Sequence, residues 1–270
     1  MPSKSGFPVF IVHYSPLAQR ADYLTRALSK SNLKIMWITE RDYLDFPQEV
    51  SEDGNVLGVK EYLVGMDLGI NSRSLKFSRR RARFQGITLL IRSLISGRDS
   101  LINGSLPKKE PLKKPQVEIQ RMHLTALRMG LESDFNWIFV LEDDAMPVKD
   151  AFDKVDYITS HFSPKNTWIN LNSGAGLRRT STDKIPDKFG LFRVKPASTR
   201  CAVAYLISKD LAKKIVISAT QDGIPNWLPI DVYYQVLLRK FKSKSYWADP
   251  AIFEQGSENG NYFSNLEKIR

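Results

Sequence analysis

Residues 136–147, NWIFVLEDDAMP, place an unbroken apolar run, Trp137 to Leu141, directly in front of three carboxylates, Glu142, Asp143 and Asp144. A run that short and that apolar, bounded by polar residues, reads as a strand buried on both faces. Acids that follow such a strand emerge at the carboxyl edge of a sheet, where open α/β folds bind ligands. Continued alternation would point Glu142 and Asp144 to one side and Asp143 to the other. Two same-side carboxylates suit a hard divalent cation whose other positions are filled by phosphate oxygens and water. An isolated EDD triplet is more often a solvated turn closing a strand. The apolar strand before it, and the rest of the chain, tip the reading towards a site.

Working outward, residues 8–13 (PVFIVH) read as a first strand, Tyr14-Ser15-Pro16 as a turn and residues 17–28 as an amphipathic helix. Residues 34–39 (KIMWIT) make a second strand. This β-α-β start predicts an α/β fold, with the loop after the first strand as a natural nucleotide cleft. Arg20 sits near that loop. It could contact a diphosphate or a base, although its place on a helix alone favours a surface residue. Residues 117–131 predict a helix packed on the sheet. His123 within it reads as a satisfied core or boundary histidine, and it lies five positions from Glu118, off that residue's face.

After the carboxylates, residues 150–162 read as a helix and 167–171 (TWINL) as a strand, followed by the flexible loop NSGAG at 172–176 and by Arg178 and Arg179. Strands are expected at 190–195 and 201–207. Ser208 reads as the N-cap of a helix through Ile217. Residues 232–239 predict a further helix with Asp231 at or near its first turn, where unpaired backbone N–H groups stabilise an acid. An acid there is also able to take a proton from, or grip, an acceptor hydroxyl. Residues 247–255 (WADPAIFEQ) read as a loop or short strand, and a poorly ordered tail is expected from Ser257 on, with 258–270 set apart as the disordered segment.

Charge narrows the function classes. Of the chain's net +11, the segment 73–114 carries +10, from 12 Lys/Arg against Asp99 and Glu110. The body is therefore nearly neutral, which argues against nucleic acid, whose binding usually wants positive charge over the core domain. Within the basic segment, residues 86–95 (GITLLIRSLI) predict a helix and 107–115 (PKKEPLKKP) an exposed, extended linker. The whole of 73–115 reads as a basic helical insert in a single domain spanning 1–270. Two readings of it stand level: a solvated insertion, or a contact with an anionic membrane or acceptor, each basic residue adding about 1 kcal/mol near a membrane. The single Cys201 excludes an internal disulfide and suits a reducing cytoplasm. Residues 1–8 lack the apolar core of a secretory signal, and His13, His123 and His161 are too scattered to suggest a zinc cluster.

Taken together, the landmarks IVHYSPLAQR (11–20), EIQRMHLTAL (118–127), LEDDA (141–145), AYLISKDLAKKI (204–215), LPIDVYYQ (228–235) and DPAIFEQ (249–255) resemble glycosyltransferase family 25, which includes lipopolysaccharide and collagen galactosyltransferases. The resemblance spans most of residues 8–257 apart from the basic insert. It implies a GT-A-like (Rossmann-like) mixed, mostly parallel sheet flanked by helices, a nucleotide-sugar donor such as a UDP-hexose, and a divalent metal, manganese or else magnesium. Glu142 and Asp144 match the metal-binding outer positions of an Asp-X-Asp motif, with Asp143 near the ribose. Arg20 matches an arginine that contacts the nucleotide, Gln255 a glutamine closing the donor pocket, and Asp231 the candidate base. The implied reaction is an inverting transfer of a hexose, such as galactose, to a hydroxyl of a glycan, glycolipid or polypeptide acceptor. The cysteine usage and the basic insert, for their part, set the expected location as the cytoplasm, peripheral to the inner face of a membrane. The first strand departs from the family pattern in ending His-Tyr-Ser, and of the family's Ser-His helix signature only His123 remains. No histidine follows His161 to serve as a late metal ligand. A non-catalytic nucleotide-sugar or glycan-binding relative is the alternative. A metal-dependent nuclease ranks third and requires strongly salt-dependent binding to DNA or RNA.

Overall fold

A computed structural model describes residues 7–29, 31–44, 46–47, 111–173, 190–194 and 197–257. The expected basic insert, apart from residues 111–115, lies outside the described residues, as do Arg178, Arg179 and the tail 258–270. Strand β1 (Pro8–Val12), helix α1 (Ala18–Leu28) and strand β2 (Lys34–Ile38) form the opening β-α-β unit, with β1 and β2 parallel. Helix α2 (Lys114–Gly130) then leads into β3 (Trp137–Glu142), and a turn connects β3 to the short β4 (Ala145–Pro147). Helix α3 (Ala151–His161), β5 (Thr167–Asn170), β6 (Leu191–Val194), β7 (Ala204–Ser208), α4 (Lys209–Gln221), α5 (Ile230–Lys240), β8 (Lys244–Ala248) and β9 (Phe253–Gln255) complete the described elements.

The fold is mixed α/β. Seven strands form the central sheet in the order β2-β1-β3-β7-β5-β8-β6. Strands β2, β1, β3, β5 and β8 run one way, while β7 and the edge strand β6 run the other. β3 lies inside this sheet and its apolar residues divide between two cores as a pleat requires. Ile138 and Val140 join the face packed by α2, α4 and α5, beside Leu127, Ile215 and Leu237. Trp137, Phe139 and Leu141 join the other face, with Leu24 of α1 and Val155 and Ile158 of α3. Burying each such side chain contributes about 1.5–3 kcal/mol, so β3 anchors both layers.

Helix α2 meets β3 closely: a Cβ added to Gly130 would stand 2.6 Å from Ile138 Cγ2. That approach fixes the helix over the strand that carries the acids. The helix starts earlier than its periodicity suggests. Lys114 and Pro115, expected in the extended linker, form its first turn, where a proline's missing N–H costs nothing. Strand β8 also exceeds expectation, because its sequence KSYWA carries no strong apolar run. It is held by register with β5 and β6. Ser208 is the N-cap residue of α4, but its hydroxyl accepts the Thr167 N–H at 2.9 Å and makes no capping bond. Among the described residues no helix is long and apolar enough to cross a membrane.

Candidate functional site at the end of strand β3

Alternation stops at Glu142, because the chain turns at Asp143-Asp144. Asp143 therefore does not pass to the far side of the sheet, as continued strand geometry would have it. All three acids line one open cleft together with Arg20, Gln255 and Ser257. Its apolar wall comes from Val12, Ile119 and Met122, with Tyr14 at 41% exposure beside them. The cleft lies where the loop after β1 meets the end of β3, the place the β-α-β reading selects.

The C-terminal segment closes on this point through a two-stranded ribbon. β4 and β9 pair antiparallel, matching Ala145 with Gln255 and Pro147 with Phe253. The Gly256 N–H then donates to the Asp144 carbonyl at 2.9 Å, and Ser257 Oγ donates to Asp144 Oδ2 at 2.6 Å. Ser257 thus belongs to the site, contrary to the expectation that the disordered tail begins there. Its polar character hides it in a sequence, since the ribbon that delivers it is only three residues long on each side.

Asp143 is fully engaged with the β1 side. Its Oδ1 accepts from an Arg20 guanidinium nitrogen at 2.7 Å, and its Oδ2 pairs with His13 Nδ1 at 2.9 Å and accepts the Tyr14 N–H at 3.2 Å. Arg20 is 8% exposed, so the surface reading of that helix position is overturned. A buried guanidinium needs partners, and Asp143 lies 123 residues away, out of reach of any local pattern. His13 was missed for the same reason. It ends β1 as one polar residue after an apolar run, and its partner is distant in sequence.

Asp144 sits in the opposite condition. It is 4% exposed, Ser257 engages Oδ2, and among the described residues nothing hydrogen-bonds Oδ1. Gln255 Oε1 in the same cleft is likewise buried and unpaired. Burial, helped by the charges of Glu142 and Asp143, pushes the Asp144 carboxyl up to about 6, while the Ser257 hydroxyl and the Arg20 charge pull the other way. Such oxygens are of the hard type that Mg²⁺ or Mn²⁺ prefers.

Glu142 points towards α2. Its Oε1 meets His123 Nε2 at 3.1 Å, and the fully buried His123 is satisfied on its other nitrogen by the Tyr205 hydroxyl, as a core histidine should be. Asp231 lies in the first turn of α5, where the N–H groups of Val232 and of Asp231 itself bond its carboxylate. Burial raises its pKa, the backbone bonds oppose the rise, and the Glu142 charge adds to it. Asp231 therefore feels Glu142 and His123 electrostatically, yet it does not line the cleft with the other five expected residues. Among the described residues no three His, Cys, Asp or Glu side chains form a set able to hold a metal ion. No protein-family model and no curated protein matches the chain.

Proposed function

We propose that this chain is a metal-dependent inverting glycosyltransferase of GT-A architecture, similar to glycosyltransferase family 25. It would move a hexose such as galactose from a UDP-hexose to a hydroxyl of a glycan, glycolipid or polypeptide. The observation that carries the reading is the uncompensated Asp144 carboxylate, buried beside Gln255 Oε1 in a cleft at the end of the sheet's acid-bearing strand. A structural acid would be paired as Asp143 is, whereas an acid kept unpaired at the cost of desolvation suits a ligand that brings positive charge. Asp144 and Glu142 would hold the cation, with diphosphate oxygens and water completing its shell. When bound, that ion supplies neutralisation of the leaving diphosphate.

The chain's own residues do the rest. Arg20, fixed by Asp143, places a positive charge on the cleft wall for the nucleotide, and the Asp143 clamp orders the β1 loop near the ribose. Gln255 closes the donor pocket from β9. In the transfer, the acceptor oxygen bonds to the anomeric carbon as the bond from that carbon to the diphosphate oxygen breaks, and the acceptor's proton passes to Asp231. A raised pKa makes that carboxylate a better base than an ordinary one. The proposed setting is the cytoplasmic face of a membrane, with the basic residues 73–114 as the contact to anionic lipid.

A thermal-shift screen of nucleoside diphosphates and their sugars, with and without manganese, tests the proposal. UDP or a UDP-hexose should raise the melting temperature only with the metal, and a flat response across the screen would remove the donor assignment. Asp231→Asn should keep that shift and lose transfer. Retained turnover would move the base elsewhere.

A further inference from the structure

Behind Glu142 runs a buried polar chain that the proposed chemistry does not use. His123 is 0% exposed, and its Nε2 stands 3.1 Å from Glu142 Oε1 while its Nδ1 stands 3.1 Å from the Tyr205 hydroxyl. The Tyr205 hydroxyl lies 3.2 Å from that of Tyr234, and Trp168 stacks on the Tyr205 ring with centroids 4.1 Å apart. Four side chains from α2, β7, α5 and β5 thus form one file leading from the core to the cleft.

The hydrogen-bond inventory gives that file a direction. A Glu142 carboxylate can only accept, so His123 Nε2 carries the proton it donates. In a neutral imidazole, Nδ1 must then accept, and Tyr205 O–H supplies the bond. Having donated, the Tyr205 oxygen accepts from Tyr234 O–H. Burial raises both phenols above their ordinary value, which keeps them as donors. Each member fixes the proton position of the next, and Trp168 fixes the Tyr205 ring.

We infer that His123 is a positioning residue for Glu142: its ring is held among Tyr205, Tyr234 and α2, and its Nε2–H holds one carboxylate oxygen and presents the other to the cleft. Its role in cation binding rests on the proposed function, while the Nε2–H bond to Glu142 does not. Partners outside a metal's own ligands that hold those ligands in place are worth about 10–100-fold in metal affinity. The second histidine-bearing landmark, residues 118–127, therefore acts through Glu142 and touches no ligand itself.

The test uses the full chain and manganese alone, with free Mn²⁺ followed by electron paramagnetic resonance. His123→Phe should weaken binding by about 10–100-fold. His123→Gln, whose amide N–H can replace Nε2–H, should restore it to within a fewfold of wild type. In the metal-free wild-type protein, ¹⁵N shifts should show Nε2 protonated, and Tyr205→Phe should leave that proton in place. Unchanged manganese affinity in His123→Phe, against a loss in Asp144→Asn, would overturn the positioning role. Unprotonated Nε2 in the wild type would overturn the inference whatever the metal does. Manganese failing to bind the wild type would count against the proposed function instead, leaving the ¹⁵N result to decide on His123.

Discussion

Asp143 and Asp144 are neighbours of one chemical type, and the fold treats them oppositely. Asp143 faces the β1 side, where a guanidinium, an imidazole and a backbone N–H saturate it. Asp144 faces the β9 side, where one serine hydroxyl meets one oxygen and the other has no partner among the described residues. The difference separates two uses of a buried charge. A compensated carboxylate holds loops together, and an uncompensated one stores a desolvation cost that a cation can relieve.

The largest effect that would expose this contrast is expected at the compensated acid. Asp143→Ala removes the buried acid that pairs with Arg20 and His13 and should destabilise the protein by about 3–5 kcal/mol, read by urea unfolding. A loss under about 1 kcal/mol would mean that the clamp is replaceable by solvent.

Asp144 should behave in the reverse sense. Its folded-state pKa, about 6, lies above the ordinary value of 3.8, so the folded protein holds a proton that the unfolded chain has released. Stability is then highest below pH ~4 and falls as pH rises through ~6, by a total of about 3 kcal/mol from this group. Asp144→Asn should abolish that component of the fall and leave the metal-free variant more stable than wild type at pH 7.5. Manganese should raise the wild-type melting temperature at pH 7.5 and leave the variant's unchanged. A variant less stable than wild type at that pH would contradict the assignment of an uncompensated charge.

The smallest effect sharpens the same point. Ser257→Ala removes the hydroxyl that favours ionised Asp144, at a cost of about 1–2 kcal/mol at pH 7.5. The pH at which wild-type stability falls should move upward in this variant. A downward move would show that the serine favours the protonated acid.

How much of this was written in the chain depends on how local the determining contacts are. β3 was legible because five consecutive apolar residues have few alternatives to a doubly buried strand. Its acids were legible as a cleft for the same reason. His123 could be read as a satisfied core histidine from the apolar face of its helix, but not as a link between Glu142 and Tyr205, which lie 19 and 82 residues away. The burial of Arg20 and the roles of His13 and Ser257 depend on partners more than 110 residues distant. Periodicity reports which face of an element is apolar, and a polar residue at an element's end gives no such signal. The turn that ends β3 also defeated the alternation rule, which holds only while the chain stays extended.

The central claim, that Asp144 is kept unpaired for a cation that brings a diphosphate, is tested most directly by titration calorimetry of UDP into the wild type and Asp144→Ala, with and without manganese. Wild type should bind only when manganese is present, and Asp144→Ala should lose that binding while its circular dichroism stays native. Equal manganese-dependent affinity in the two proteins would contradict the account.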